Sequence, residues 1–314
     1  MIACPRDLAP LSAQNGSLEC PSGHSYPCVD GIPVLLVEEA DPTHLACWRS
    51  PRRARDGWQE KPAASGGGVD PYVSEAVAKT CGVLYGPLVG RLTAYPIPKL
   101  PLPPGEGAEL LDVGCNWGRW TLAAAGAGYR AVGIDPALEA VAAARRVAAQ
   151  LERDAEYVVA DARHLPFADA SFDVVFSYSV LQHFGKEDAL QALREMGRVL
   201  RPDGKALVQM ANAFGPRNLQ RQLVRRRFRE PRGLFGVRYW TPGELEAAFA
   251  KAIGPARLSV DGFFALNAQA GDIDLLPRRY RPVVRASELL RRASTRVPAL
   301  RAVADSLFVE ATKR

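Results

Sequence analysis

Glu109-Leu110-Leu111-Asp112-Val113-Gly114-Cys115-Asn116-Trp117-Gly118 is the stretch on which the reading of this chain turns. Leu110, Leu111 and Val113 form the continuous apolar run of a strand covered on both faces. Gly114 and Gly118 remove side chains where the backbone must turn and let a ligand approach. Trp120 and Leu122 to Ala125 then carry a helical pattern. A second strand, Ala131-Val132-Gly133-Ile134, stops at Asp135, and Pro136 suits the first position of a helix. An acid at that strand end, about twenty residues past the glycines, is placed to accept hydrogen bonds from two ribose hydroxyls. Strand, glycine turn, helix, strand and terminal acid make half of a doubly wound nucleotide-binding domain.

The spacing Gly114-x-x-x-Gly118 is not the dinucleotide fingerprint. It resembles the first motif of the class I S-adenosylmethionine-dependent methyltransferases, type 11-like, which reads acid-x-Gly-x-Gly-x-Gly. Asp112, Gly114 and Gly118 stand at three of those positions, and Asn116 replaces the middle glycine. That departure is mild, because Asn tolerates positive φ better than most residues.

Further along, Ala137 to Arg153 reads as an alanine-rich helix and Glu156 to Val159 as the third strand. The stretch Asp161-Ala162-Arg163-His164-Leu165-Pro166-Phe167 resembles the family's adenine-binding loop. Phe172 to Ser177 is the fourth strand, and Tyr178 to Phe184 follows at its carboxyl edge, where ligands of open α/β sheets bind. Ala189 to Leu200 is a helix, and Arg201-Pro202-Asp203-Gly204 turns into a fifth strand, Lys205 to Met210. Thr241-Pro242-Gly243-Glu244 starts a helix with a capping threonine. Ala256 to Val260 and Ser306 to Ala311 alternate as strands six and seven. The resemblance pairs these last two antiparallel, giving a seven-stranded Rossmann-like α/β sheet. It implies S-adenosylmethionine as cofactor, held by Asp112, Gly114, Cys115, Asn116, Gly118, Asp135, Pro136, Asp161, Ala162 and Ser177.

The N-terminal residues 1–38 read as a separate unit. Cys4-Pro5-Arg6-Asp7 and Cys20-Pro21-Ser22-Gly23-His24 resemble a small zinc ribbon in which Asp7 replaces a cysteine. Carboxylate is an acceptable zinc ligand, so Cys4, Asp7, Cys20 and His24 are the candidate tetrahedron, and Cys28, inside a strand, is the substitute if Asp7 is not used. The competing reading is a ribbon without metal that packs Ile32, Val34 and Leu35 on the next domain. Residues 39–70, with Pro51 to Asp56 and Ala63 to Gly68, lack apolar periodicity and read as a linker. The methyltransferase domain then takes 71–314, beginning with helices whose Val73, Val77, Leu84 and Leu88 share a buried face.

Composition narrows the function. The chain has 314 residues, a net charge of +6 and six scattered cysteines, which do not suggest a disulfide framework. No apolar run reaches membrane-spanning length and no signal-peptide core leads the sequence, so a cytoplasmic location is expected. His183 is the candidate general base, with Tyr178 and Gln182 placed to orient an acceptor. Arginines crowd two insertions, 213–239 and 263–304. If they border the cleft, they favour an anionic small-molecule or glycan acceptor methylated on oxygen. The alternatives are RNA base methylation, favoured by the ribbon and the basic charge, and a non-catalytic binding module. Leu219, Leu223, Val224 and Phe228 oppose the arginines in a pattern also found in peripheral membrane contacts.

Overall fold

Strands that are apolar on both faces must lie side by side under helices on either side, and the centre of this molecule follows that rule. The computed structural model describes residues 2–59, 68–228 and 236–314. In chain order it contains β1 (Ser12–Gln14), β2 (Ser17–Glu19), β3 (Ser25–Val29), β4 (Ile32–Leu35), α1 (Ala46–Arg55) and α2 (Pro71–Cys81). Next come β5 (Glu109–Val113), α3 (Arg119–Gly126), β6 (Arg130–Asp135), α4 (Leu138–Gln150), β7 (Ala155–Ala160), β8 (Phe172–Tyr178), α5 (Lys186–Val199) and β9 (Leu200–Ala211). The last third holds α6 (Pro216–Phe228), α7 (Pro242–Ala252), β10 (Ala256–Gly262), α8 (Arg281–Ala293), α9 (Ala299–Ala302) and β11 (Ser306–Thr312).

The sheet order is β1-β2-β3-β4-β7-β6-β5-β8-β9-β11-β10. Its seven strands from β7 to β10 are the Rossmann-like set expected from the sequence, and β11 runs antiparallel to both β9 and β10. One face is packed by α5 and α7 through Leu193, Met196, Leu245 and Phe249. The other is packed by α2 and α4 over one half and by α3 over the other. Leu110 and Leu111 of β5 are fully buried on opposite faces. Each such side chain contributes roughly 1.5–3 kcal/mol through burial. The helix start at Thr241 forms a reciprocal capping box with Glu244.

Two expectations change. Residues 1–38 are not set apart from the sheet: Val34 and Leu35 of β4 pair in parallel with Val159 and Ala160 of β7. The β7 edge would otherwise present unpaired backbone, and β4 covers it. Nor is 39–70 a plain linker, since α1 lies within it and buries Ala46, Cys47, Ser50 and Pro51. Its apolar face is small and interrupted by arginines, which is why periodicity did not reveal it. Residues 63–67 of that stretch, and Arg229 and Arg232 of the first insertion, lie outside the described residues. Among the described residues no helix is long and apolar enough to cross a membrane.

Candidate cofactor cleft and metal cluster

The parallel strands β5 to β8 end at one edge, and a cleft of about 400 Å³ opens there. Its floor is the turn after β5. Gly114 and Cys115 donate backbone hydrogen bonds to Ile134 O, both at 2.8 Å, which pins the turn to the end of β6. Gly114 sits at φ +81°, and a Cβ there would lie 2.3 Å from Val180 Cγ2. Gly118 sits at φ +80°, where a Cβ would lie 2.7 Å from Tyr157 Oη. Asn116 adopts a left-handed φ of 47°, the conformation that its replacement of glycine requires.

Asp135 faces this turn. Its Oδ2 accepts from Asn116 N at 3.0 Å and its Oδ1 from Ala137 N at 2.9 Å. Burial pushes its carboxyl up to about 6, partly opposed by those two bonds. Gly114, Cys115, Asn116, Asp135, Pro136, Asp161, Ala162 and His183 all line the cleft. Three other candidates sit behind it. Asp112 is buried beneath α3, accepts from Thr121 Oγ1 at 2.7 Å and is pushed up to about 7 by burial. Ser177 donates to Val113 O at 2.8 Å, and Gly118 packs on Tyr157. These three hold the shape of the turn from below.

Asp161 is locally committed. Arg163 donates from its backbone N to Oδ1 at 2.8 Å and from Nη2 to Oδ2 at 2.8 Å, and the Cys47 thiol lies 3.8 Å from Oδ2. A purine amine at this position meets a carboxylate already neutralised by Arg163.

Several cleft residues were not legible as such. Tyr72, Thr80, Thr43 and His44 line it, and so does Arg119. Arg119 is buried; it donates to Pro96 O at 2.7 Å and to Asp272, while its Nη1 has no partner among the described residues. A buried guanidinium nitrogen without a partner beside a cleft suits a carboxylate brought by a ligand. The signal was present, since Arg119 follows Gly118 directly. The N-terminal wall carried no signal, because it comes from chain distant in sequence: Ser50 Oγ donates to Pro136 O at 2.6 Å and accepts from Leu138 N at 3.0 Å.

In the N-terminal hairpins Cys4, Asp7, Cys20 and His24 converge, with one ligand atom of each within 4.8 Å of all the others. His24 Nδ1 lies 3.4 Å from Cys4 Sγ, 3.3 Å from Cys20 Sγ and 3.4 Å from Asp7 Oδ2. Cys20 Sγ lies 3.7 Å from Asp7 Oδ2. Ligand atoms around tetrahedral zinc stand about 3.3–3.8 Å apart, given Zn–S of about 2.3 Å and Zn–N or Zn–O of about 2.0–2.2 Å. The donor set therefore fits zinc. Cys28, in β3, stays outside the cluster.

Strand order, crossovers and a glycine-turn cleft at the carboxyl edge define a doubly wound, Rossmann-like nucleotide-binding protein. Residues 111–208 match the model of a methyltransferase domain family. The chain thus carries a class I S-adenosylmethionine-dependent methyltransferase domain. It is 36% identical over 105 residues to the methyltransferase GfsG of Streptomyces halstedii, covering 32% of this chain and 37% of that one. It is 33% identical over 103 residues to the probable tRNA methyltransferase 9B of Mus musculus, covering 32% and 21%. It is 38% identical over 102 residues to a demethylmenaquinone methyltransferase of Staphylococcus aureus, covering 32% and 41%. The chain therefore spans well under half the length of these relatives.

Proposed function

We propose that this chain binds S-adenosylmethionine in the 400 Å³ cleft and transfers its methyl group to a hydroxyl of a small-molecule or glycan acceptor bearing an anionic group. The observation that carries the reading is Asp135, aimed at a left-handed glycine turn at the strand edge. The sulfonium cofactor supplies the reactive methyl group, and the chain supplies placement. Asp135 accepts the ribose hydroxyls, the backbone of 114–116 approaches the ligand closely, and Arg119 Nη1 takes the amino-acid carboxylate. Holding the acceptor in line is worth roughly 7–11 kcal/mol of the barrier. His183 and Tyr178 line the cleft.

In this reading zinc sits in the Cys4, Asp7, Cys20 and His24 cluster as a structural ion, in a closed four-ligand site. Six free cysteines suit the reducing cytoplasm, where we place the activity. The anionic preference rests on the second insertion rather than the first. Arg291 and Arg292 of α8 border a cavity beside the cleft, whereas no arginine of α6 lines either one.

The test is calorimetry with S-adenosylhomocysteine, followed by label transfer from methyl-labelled cofactor to small-molecule, glycan and RNA fractions. Label in RNA alone would replace the acceptor proposed here with a nucleic acid. Cofactor binding without label in any fraction would leave a binding module.

A further inference from the structure

A second cavity of about 760 Å³ lies beside the cofactor cleft, floored by Leu207 and Phe308 of the sheet and covered by the 263–271 segment and α8. Tyr178 and Asn267 line both cavities, so the two meet there. Three strand ends converge at this point: Tyr178 ends β8, Asp261 lies at the end of β10, and Ser306 begins β11.

Tyr178 Oη donates to Asp261 Oδ2 at 3.0 Å, and Ser306 Oγ donates to the same oxygen at 2.6 Å. Gln209 Nε2 donates to Ser306 Oγ, and Gln269 Nε2 donates to Tyr178 Oη at 2.9 Å. The second donation orients the phenol so that its proton points at Asp261. Asp261 borders the cavity and takes both bonds on one oxygen; Oδ1 has no hydrogen bond among the described residues.

We propose that this cavity holds the methyl acceptor, a polyhydroxylated small molecule with an anionic substituent, and that Asp261, acting through Tyr178, takes the proton of the hydroxyl being methylated. Lys99, Arg292 and Arg301 border the same cavity, with Arg292 paired to Glu288 there, and in this proposal they attract the anionic substituent. A lone pair on the acceptor oxygen forms the new C–O bond, and the electron pair of the broken S–C bond stays on sulfur, giving S-adenosylhomocysteine. The hydroxyl proton passes to the Tyr178 oxygen as Tyr178 passes its own to Asp261. Loss of that proton to solvent restores the carboxylate. Burial raises the Asp261 carboxyl above the usual carboxylate range, which favours proton acceptance. Ser306 from β11, Tyr178 from β8, Arg291 from α8 and Arg119 from α3 pull it back down, and Arg291 is itself paired with Glu288.

The proposal rests on the methyltransferase reading, so the experiment carries a separate control for it. The full chain is given methyl-labelled S-adenosylmethionine and a dialysable polar extract as the acceptor probe, while S-adenosylhomocysteine affinity is followed by calorimetry. Wild type should label an extract component at a rate that rises with pH. Asp261→Asn and Tyr178→Phe should each slow it by roughly 10²–10⁴, abolish that rise and leave cofactor affinity unchanged. Gly271→Trp, where an added side chain meets open space at the cavity wall, should raise the extract concentration needed for half-maximal rate. His183→Gln should keep the pH rise. A full rate or an intact pH rise in Asp261→Asn overturns the proposal, as does a His183→Gln enzyme that loses the rise. Loss of cofactor affinity in Asp261→Asn marks it as a structural tie and also overturns it. A wild type that binds S-adenosylhomocysteine but labels nothing sinks the methyl-transfer reading itself.

Discussion

Two carboxyls raised by desolvation, half-buried Asp135 and buried Asp112, give the molecule two separate pH responses, one in cofactor binding and one in stability. Asp135 is pushed up to about 6, so below that pH it is protonated and loses one acceptor for the ribose. Bound ribose favours the ionised form, so cofactor affinity should weaken as pH falls through about 6, and Asp135→Asn should flatten that dependence while costing about 1–3 kcal/mol of binding. Calorimetry from pH 5 to pH 8 checks both. Asp112, raised from 3.8 to about 7, acts on stability instead. Between those values the folded state holds a proton that the unfolded state has lost, so stability falls as pH rises through the window and is level above it. Asp112→Asn should retain the Thr121 bond and reduce the slope of melting temperature against pH. The sequence made both carboxylates visible but not their division of labour. Asp112 stands one residue before the end of β5 and Asp135 ends the neighbouring β6, and the packing of α3 over Asp112 turns it inward.

At the scale of elements, the segment between β4 and α1 walls the cleft through Thr43 and His44, and α1 backs the cleft through Cys47, beside Asp161, and Ser50, bonded to Pro136. Ala3 N donates to Pro166 O at 2.9 Å, one residue before the candidate metal ligand Cys4, and β4 lies against β7 just ahead of Asp161. A chain starting near Asp70 is therefore expected to bind cofactor more weakly than the full chain, because Thr43, His44, Cys47 and Ser50 go with the deleted part. Purified protein should hold one zinc per chain by mass spectrometry. Chelation should lower the melting temperature and loosen S-adenosylhomocysteine binding together. Unchanged affinity in a folded, metal-free protein would show that the hairpins stand without the ion. The helices α3, α4, α5 and α7 were legible because each buries a periodic apolar face. The wall was not, because β4 is four residues long and its partner lies far along the chain.

Across the whole molecule, the second insertion is tied to the centre through one buried ion pair. Asp272 accepts from Arg119 of α3 and from Tyr85, and all three are shielded from solvent. Removing one partner of such a pair leaves an uncompensated buried charge and costs about 3–5 kcal/mol. Asp272→Asn should therefore lower the denaturant midpoint and also weaken cofactor binding, since Arg119 lines the cleft. A loss of stability with binding intact would separate the two roles. The expectation that both arginine-rich insertions face the acceptor was only half legible. Charge runs were visible in sequence, but whether α6 or α8 turns toward the sheet edge depends on packing. α8 lies over β10, while Leu219, Leu223 and Val224 of α6 remain exposed.

The pairing of β4 with β7 also orders events during synthesis. Val34 leaves the ribosome long before Val159, so the edge strand must wait for the strand it completes. During that interval β1 to β4 have only local neighbours, and all four metal-ligand candidates lie in one short stretch, Cys4 to His24. A local loop closes cheaply, whereas the long one closes only once β5 and β6 have laid down the surface beside which β7 settles. Captured by the ion, the hairpins would persist as a preformed template on the nascent chain. Docking of that template, rather than formation of the central strands, would then be the last step to complete the cofactor cleft.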